Sequence, residues 1–217
     1  MKTLVYVGPN CTKEIAGFVD RHDVSFLFEP LPEAADKLRS MFSHRAGVFV
    51  IQAACGNADG FQKFHKYNNG LSSSLFEVTW EAQHRFRQAD LSGDGSENVM
   101  TLHLGNWLDR NQVGFIDTLV LDAQGSDLTI LRTLGRRLSA GGVGVIRTEA
   151  DDCGFRHYDG PGNSLDEQIK FLSPFGYEPS IVSGTVDFHP DVIWQRANDA
   201  SEVPERLGRA TGGLCVA

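Results

Sequence analysis

The sequence has few cysteines, no long apolar run and fewer basic than acidic residues. Its four cysteines are scattered and form no CxxC pair, which excludes a zinc knuckle or a dithiol redox site. No apolar run approaches the roughly 20 residues that a membrane span requires. The net charge of −8 argues against binding to nucleic-acid phosphates. Because the N-terminus enters an apolar run without a signal peptide, we expect a cytoplasmic protein with no membrane or nucleic-acid partner.

Short apolar runs alternate with amphipathic segments along most of the 217 residues. Predicted strands cover residues 4–7, 25–28, 48–51, 61–65, 99–102 (an edge strand), 118–121 and 143–146, with an antiparallel pair at 178–183 and 192–196. Helical spacing predicts helices over 13–21, 33–42, 104–110, 127–138 and 165–172. This alternation predicts an α/β fold with a doubly wound, mostly parallel sheet of about seven strands that ends in the antiparallel pair.

Two segments lie outside this regular pattern. Residues 56–95, rich in Gly, Asn, Ser and Asp, are the least regular part of the predicted fold. Residues 1–197 are predicted to form a single domain, and residues 198–217 a weakly ordered C-terminal tail.

The residues just after each predicted strand are the candidates for a binding site. In parallel sheets, ligands bind at the carboxyl ends of the strands, near the point where the strand order reverses. Gly8 and Asn10 follow the first strand, where a glycine lets backbone approach a ligand. Glu29 follows the second strand, at the offset where a carboxylate accepts hydrogen bonds from ribose hydroxyls. Ala54 and Cys55 follow the third strand, where small residues either border an adenine ring or simply pack.

Carboxylates follow the next two core strands of the predicted sheet. Asp122 ends the strand 118–121, where it is suited to orient a substrate hydroxyl or to act as a general base. An alternative for Asp122 is that it only caps the helix that begins near residue 127. Glu149 follows the strand 143–146 and adds a second carboxylate to the same edge.

Two blocks of sequence resemble a known family. Residues 28–38 (FEPLPEAADKL) resemble the second-strand signature of the FkbM-type methyltransferases. Residues 117–132 (DTLVLDAQGSDLTILR) are similar to that family's fourth-strand block, DxxKxDxEGxExxxLxG. Residues 52–56 and 70–75 resemble the intervening small residues and serine cluster. The order and spacing agree from about residue 4 to residue 196.

The resemblance implies a Rossmann-like methyltransferase fold that binds S-adenosylmethionine. Most members of the family methylate oxygen on a small acceptor, such as a sugar, and some methylate a peptide amide nitrogen. By the same resemblance, Gly8 and Asn10 line the methionine end of the cofactor, and Glu29 holds the ribose. Ala54 and Cys55 border the adenine, and Asp122 faces the transferring methyl group.

Four side chains are candidates for the base that accepts the acceptor's proton. In order of preference they are Asp122, His103, Glu149 and His157, although a single histidine is more often structural. No metal is required for this chemistry. The carboxylates of Asp122, Glu149 and Asp151 nevertheless provide the oxygen ligands that Mg²⁺ prefers.

The chain departs from the family's pattern at three positions. The glycine-rich turn DVGANxG reads YVGPNCT here, so Tyr6 replaces the leading acid and Thr12 the last glycine. Gln124 replaces the acid that precedes glycine in the fourth-strand block. The helical segment that precedes the first strand in the family is also missing from this sequence. We therefore expect the loop 57–95, the tail or a partner subunit to cover the acceptor, which favours a homodimer.

These departures leave two other hypotheses open. One is a degenerate methyltransferase fold that serves as a non-catalytic binding or scaffold module. The other is a nicotinamide-dependent oxidoreductase, since the same fold hosts both activities. The oxidoreductase is disfavoured because no GxGxxG follows the first strand, where Gly8 stands alone. Methyl transfer is the hypothesis that the whole pattern favours.

Overall fold

The structure, a computed structural model, describes residues 1–151, 155–183 and 190–196. Its strands are β1 (Thr3–Val7), β2 (Val24–Phe28), β3 (Val48–Ile51), β4 (Ala54–Gly56), β5 (Gly60–Tyr67), β6 (Gly93–His103), β7 (Ile116–Leu121), β8 (Val143–Glu149), β9 (Tyr177–Ser183) and β10 (Asp191–Arg196). Its helices are α1 (Glu14–Asp20), α2 (Pro32–Met41), α3 (Trp80–Arg85), α4 (Leu104–Arg110), α5 (Asp127–Thr133), α6 (Gly135–Ser139) and α7 (Leu165–Leu172), with 3₁₀ turns at Arg87–Ala89 and Ser173–Phe175.

Seven of these strands form one sheet, in the order β3-β2-β1-β7-β8-β10-β9. The strands β3, β2, β1, β7 and β8 are parallel, whereas β10 is antiparallel to both β8 and β9. The strand order reverses between β1 and β7, which opens a crevice at their carboxyl ends. The predicted doubly wound sheet with a C-terminal antiparallel pair is therefore confirmed.

The large sheet is buried on both faces. Successive side chains of each central strand point to opposite sides, so each strand contributes to the packing on both faces. Along β1, Leu4 and Tyr6 pack with residues of α1 and α2 on one face. Val5 and Val7 pack on the other face with residues of α4, α5 and α7. All five residues of β1 are buried, which explains why this strand is a continuous apolar run in the sequence.

A second sheet of three strands, in the order β4-β6-β5, comes between β3 and β7 in the chain. The prediction of an edge strand at 99–102 is wrong, since these residues belong to β6, which pairs with β4 on one side and β5 on the other. The region 56–95 is also more regular than predicted, because β5 extends over eight residues and α3 follows it.

The helix predicted over 127–138 is divided into α5 and α6. The division falls at Leu134 and Gly135, and a glycine inside a helix costs roughly 0.5–1 kcal/mol relative to alanine. The predicted weakly ordered tail, 198–217, lies outside the described residues, and the domain limit at 197 stays a prediction. Among the helices that are described, none has the length and apolar character needed to cross a membrane.

Gly8 generates a prediction about stability. Its φ is +79°, and a Cβ at this position would lie 2.0 Å from the backbone oxygen of Asp122, so the β1–β7 junction itself requires glycine. Gly8→Ala should lower the free energy of unfolding by roughly 3 kcal/mol in urea denaturation. The control, Gly17→Ala in α1, has open space around the new methyl group and should raise it by about 0.5–1 kcal/mol. Equal stability of Gly8→Ala and the parent would contradict this account.

Candidate functional site

A cavity of about 270 Å³ opens at the carboxyl ends of β1, β2, β7 and β8. Its lining contains every residue that the sequence assigned to cofactor binding: Gly8, Asn10, Glu29, Ala54, Cys55 and Asp122. Glu149 also lines it, whereas His103 and His157 do not. We call this space the first cavity. The crevice predicted at the switch point of the sheet therefore exists and collects most of the candidate side chains.

Glu29 occupies one end of the first cavity. Its side chain is only 3% exposed, and each carboxylate oxygen accepts one backbone hydrogen bond, from Leu31 N at 2.9 Å and from Asn10 N at 3.2 Å. Burial raises the pKa of Glu29 to about 7, although these two hydrogen bonds oppose the shift. Each oxygen retains a second lone pair, so the carboxylate can still accept two hydrogen bonds from a ligand.

The turn between β1 and α1 has an unusual backbone. Asn10 and Cys11 have φ values of 36° and 52°, in the left-handed region that favours glycine. The Asn10 side chain donates to the Gly70 carbonyl at 2.6 Å, and Thr12 N donates to Pro9 O at 3.1 Å. The turn thus keeps a tight course without the family's last glycine, because these contacts hold it in place.

Part of the lining of the first cavity is apolar. Ala54 and Cys55 on β4 are buried, and Leu31, Phe64 and Leu75 surround the same space. A flat aromatic ring suits such a lining better than a charged group does. Leu31, Phe64 and Leu75 were not singled out in the sequence. Phe64 is an apolar residue of β5 without a motif, and Leu31 and Leu75 are apolar residues of the blocks 28–38 and 70–75, whose apolar positions were given no role.

Asp122 and Glu149 lie at the other end of the first cavity, joined by the side chain of Gln124. The Gln124 amide nitrogen donates to Asp122 Oδ1 at 2.6 Å and to Glu149 Oε2 at 3.1 Å. The hydroxyl of Tyr158 donates to Gln124 Oε1 at 2.6 Å, which fixes the orientation of the amide. We call these four residues the amide bridge. Tyr158 was missed because its sequence neighbours contain no motif.

Gly125 allows the amide bridge to form. Its φ is +88°, and a Cβ there would lie 2.9 Å from three atoms of the Tyr158 side chain. The glycine in the fourth-strand block is therefore needed because the Tyr158 ring packs directly against the backbone.

Burial shifts the titration of these carboxyl groups upward. It raises the pKa of Asp122 to about 6, against the hydrogen bond from Gln124, and it raises the pKa of Glu149 well above its ordinary value. The pKa of Asp127 rises to about 8 for the same reason, although Ala123 N and Glu149 N both donate to its carboxylate. Asp127 thus ties the ends of β7 and β8 together, and Asp122 does not cap α5.

The other predicted bases occupy structural positions. His103 caps α4 by accepting a hydrogen bond from Asn106 N at 3.1 Å. His157 is buried, with Nδ1 lying 3.1 Å from Asp151 Oδ1. Among the described residues, no group of three or more carboxyl, imidazole or thiol side chains is arranged to hold a metal ion. The suggested Mg²⁺ site is therefore not formed, because Asp151 faces His157.

Residues 70–75 form one wall of the first cavity. Gly70, Leu71, Ser73 and Leu75 line it, and Ser74 Oγ donates to the Gln124 carbonyl at 2.6 Å. Part of the loop 57–95 thus lines the first cavity, and which element covers the acceptor stays a prediction. Within the serine cluster, Ser72 Oγ accepts from the Asn69 side chain and Ser73 Oγ accepts from Tyr67 N, as expected for serines that stabilise a turn.

The raised pKa values predict how stability depends on pH. Glu29, Asp122 and Asp127 titrate near pH 7, 6 and 8 when folded and near 4 when unfolded, so their stabilising contribution is lost as the pH rises through 6–8. The Tm without ligand should fall by at least about 5 °C between pH 5.5 and 8.5. Glu149→Gln removes another carboxyl group whose pKa burial raises, so it should reduce this fall in Tm. The control, Glu33→Gln at an exposed position, should leave the fall unchanged. A Tm that rises over this range would contradict the assignment.

The comparisons with known proteins agree with this geometry. Residues 10–179 match the family model described as the methyltransferase FkbM domain. Methyltransferase FkbM from Methylobacillus flagellatus KT has a TM-score of 0.57 at 14% identity, over 89% of this chain and 43% of that protein. This chain thus spans less than half of the length of that structure, and the likeness concerns the fold.

Two further solved structures are similar at lower scores. A putative methyltransferase from Streptococcus mutans, in complex with SAH, has a TM-score of 0.47 at 10% identity, over 89% of this chain and 86% of that chain. Fibrillarin from Aeropyrum pernix, with bound S-adenosyl-L-methionine, has a TM-score of 0.48 at 13% identity, over 89% of this chain and 65% of that chain. Among proteins with curated descriptions, none matches the sequence.

The family match is the finding that decides identity. It covers well over half of the chain, including β2, the glycine-rich turn after Pro9 and the fourth-strand block that contains Asp122. The resemblance seen in the sequence is therefore confirmed. The chain belongs to the FkbM-type methyltransferases.

Proposed function

We propose that this chain transfers a methyl group from S-adenosylmethionine to a hydroxyl group of a small acceptor, such as a sugar. The observation that supports this most is the first cavity, which has the buried carboxylate of Glu29 at one end and two joined carboxylates at the other. The family membership supports methyl transfer in general. The choice of oxygen as the methylated atom rests on the carboxylates that can accept a hydroxyl proton.

The first cavity has the polar and apolar groups that the cofactor requires. Glu29 offers two free lone pairs to the ribose hydroxyls. Ala54 and Cys55, with Leu31 and Phe64, offer an apolar space for the adenine. Gly8 and Asn10 lie between these groups and Asp122, where we place the methionine end. When bound, S-adenosylmethionine supplies a methyl group on a sulfonium sulfur, which leaves as a neutral thioether.

The amide bridge positions the carboxyl groups that can accept the acceptor's proton. Asp122 is the first candidate base, because its pKa of about 6 keeps it ionised at neutral pH while burial keeps it basic. Gln124 holds Asp122 and Glu149 together as a neutral hydrogen-bond donor, so it adds no third negative charge. Gly70, Leu71, Ser73 and Leu75 add a further wall to this cavity. His103 does not line the first cavity and has no role in the proposed reaction.

Location and assembly stay predictions from the sequence. The acidic composition favours a small molecule over nucleic acid as the acceptor. The few scattered cysteines favour a cytoplasmic location. A homodimer stays a prediction from the sequence.

Replacing Glu29 tests the placement of the ribose. Glu29→Gln keeps the shape of the side chain but removes the charge, and hydrogen bonds to a charged group contribute roughly 1.5–3 kcal/mol. Titration calorimetry with S-adenosylhomocysteine should therefore show binding weaker by about 10- to 150-fold. Glu33→Gln, at an exposed position on the first turn of α2, serves as the control and should bind like the parent. Unchanged affinity of Glu29→Gln would remove the ribose from this end of the cavity.

Replacing Asp122 tests its role as the base. Asp122→Asn retains an oxygen that accepts from Gln124, so the affinity for S-adenosylhomocysteine should stay within about threefold. Transfer of a radiolabelled methyl group to an acceptor found by screening should slow at least about 100-fold. Undiminished transfer would show that another group accepts the proton. If the unmodified protein binds no cofactor at millimolar concentration, the scaffold hypothesis replaces the enzyme.

A further inference from the structure

A second cavity, of about 250 Å³, lies beside the first one. Thr12, Asp122 and Glu149 line both cavities and form a shared wall. Tyr6 and Arg147 line only the second cavity. The carboxylates that end the first cavity are thus also accessible from a separate space on the α1 side of the sheet.

Tyr6 indicates that the second cavity binds a polar ligand. Its side chain is only 3% exposed, and its ring packs edge-on against Phe18 at 5.6 Å between ring centroids. Yet no described residue forms a hydrogen bond with its hydroxyl, although Tyr6 lines the second cavity. Buried tyrosine hydroxyls normally have a partner. Burial and the nearby Asp122 raise the pKa of Tyr6, so the hydroxyl remains protonated and available as a donor.

The charges around the second cavity are mostly negative. Its lining contains one guanidinium, that of Arg147, and four carboxyl groups, those of Glu14, Asp122, Glu149 and Asp191. Arg147 is already paired, with Asp191 Oδ2 at 2.8 Å and Glu14 Oε2 at 3.3 Å. Among the described residues, no cation forms a direct ion pair with Asp122 or Glu149: Arg147 acts on them only at a distance, and their hydrogen-bond donor is the neutral amide of Gln124.

We infer that the second cavity binds the methyl acceptor, and that this acceptor is a small hydroxylated amine, such as an amino sugar or an amino alcohol. Its hydroxyl oxygen accepts a hydrogen bond from Tyr6, and its hydroxyl proton is donated to a carboxylate of the shared wall. Its ammonium group neutralises the excess negative charge, whereas an anionic acceptor is repelled. The volume suits a molecule of one ring or less. The role of this ligand as the methyl acceptor rests on the proposed function, whereas its chemical class does not.

The first test compares three probes of similar size and different charge. Calorimetric titrations of the protein, with and without saturating S-adenosylhomocysteine, use D-glucosamine, D-glucose and D-glucuronate at pH 7. We expect glucosamine to bind at least tenfold more tightly than glucuronate, with glucose in between. Equal binding of the three, tighter binding of glucuronate or no binding of any probe would overturn the inference.

The second test removes only the unpaired hydroxyl. Tyr6→Phe should keep the Tm and the affinity for S-adenosylhomocysteine of the parent but bind glucosamine at least fivefold more weakly. The control is Tyr177→Phe, which removes a hydroxyl that donates to Val143 O at 2.6 Å, outside the lining of both cavities. It should lower the Tm and leave glucosamine binding unchanged.

The outcomes separate this inference from the proposed function. Weaker binding of S-adenosylhomocysteine to Tyr6→Phe would assign the second cavity to the cofactor and overturn the inference. Unchanged binding of glucosamine to Tyr6→Phe would overturn it too. Failure of the unmodified protein to bind S-adenosylhomocysteine would overturn the proposed function instead. The glucosamine titration without S-adenosylhomocysteine would then still test the ligand class by itself.

Discussion

The candidate site depends on the hydrogen bonds from one amide, that of Gln124, to the carboxylates of Asp122 and Glu149. Two partly buried carboxyl groups at the ends of neighbouring strands repel each other when both are ionised. The amide separates them with a donor to each, and Tyr158 prevents the amide from turning its oxygen toward them. The site can therefore keep two carboxylates together without a metal ion or a third acid.

The fold supplies the rest of this arrangement. Asp127 accepts hydrogen bonds from Ala123 N and Glu149 N, which fixes the ends of β7 and β8 relative to each other. Gly8 permits β1 to approach Asp122. The shared wall thus lies at the switch point of the sheet, between the first cavity, where we propose the cofactor, and the second cavity, where we propose the acceptor. A methyl donor and a hydroxyl would meet there with a base already in place.

The sheet and much of the first cavity could be predicted from the sequence because each central strand is an apolar run followed by a polar or small residue. Gly8, Glu29 and Asp122 occupy such strand ends. The second sheet was predicted less well. A strand was predicted at 99–102, but the pairing that makes β6 a central strand, with β4 and β5, is non-local and leaves no signal in the sequence. Tyr158 could not be predicted, because its proximity to Gln124 arises only from tertiary packing.

The central claim is that Asp122 and Glu149 stand between a cofactor cavity and an acceptor cavity. A crystal structure of the protein with S-adenosylhomocysteine tests it most directly. We expect the ribose hydroxyls within hydrogen-bond distance of Glu29 and the adenine beside Ala54 and Cys55. The sulfur should face the shared wall, and the second cavity should contain no part of the cofactor. Cofactor bound against Tyr6 and Arg147, or away from Glu29, would contradict the account.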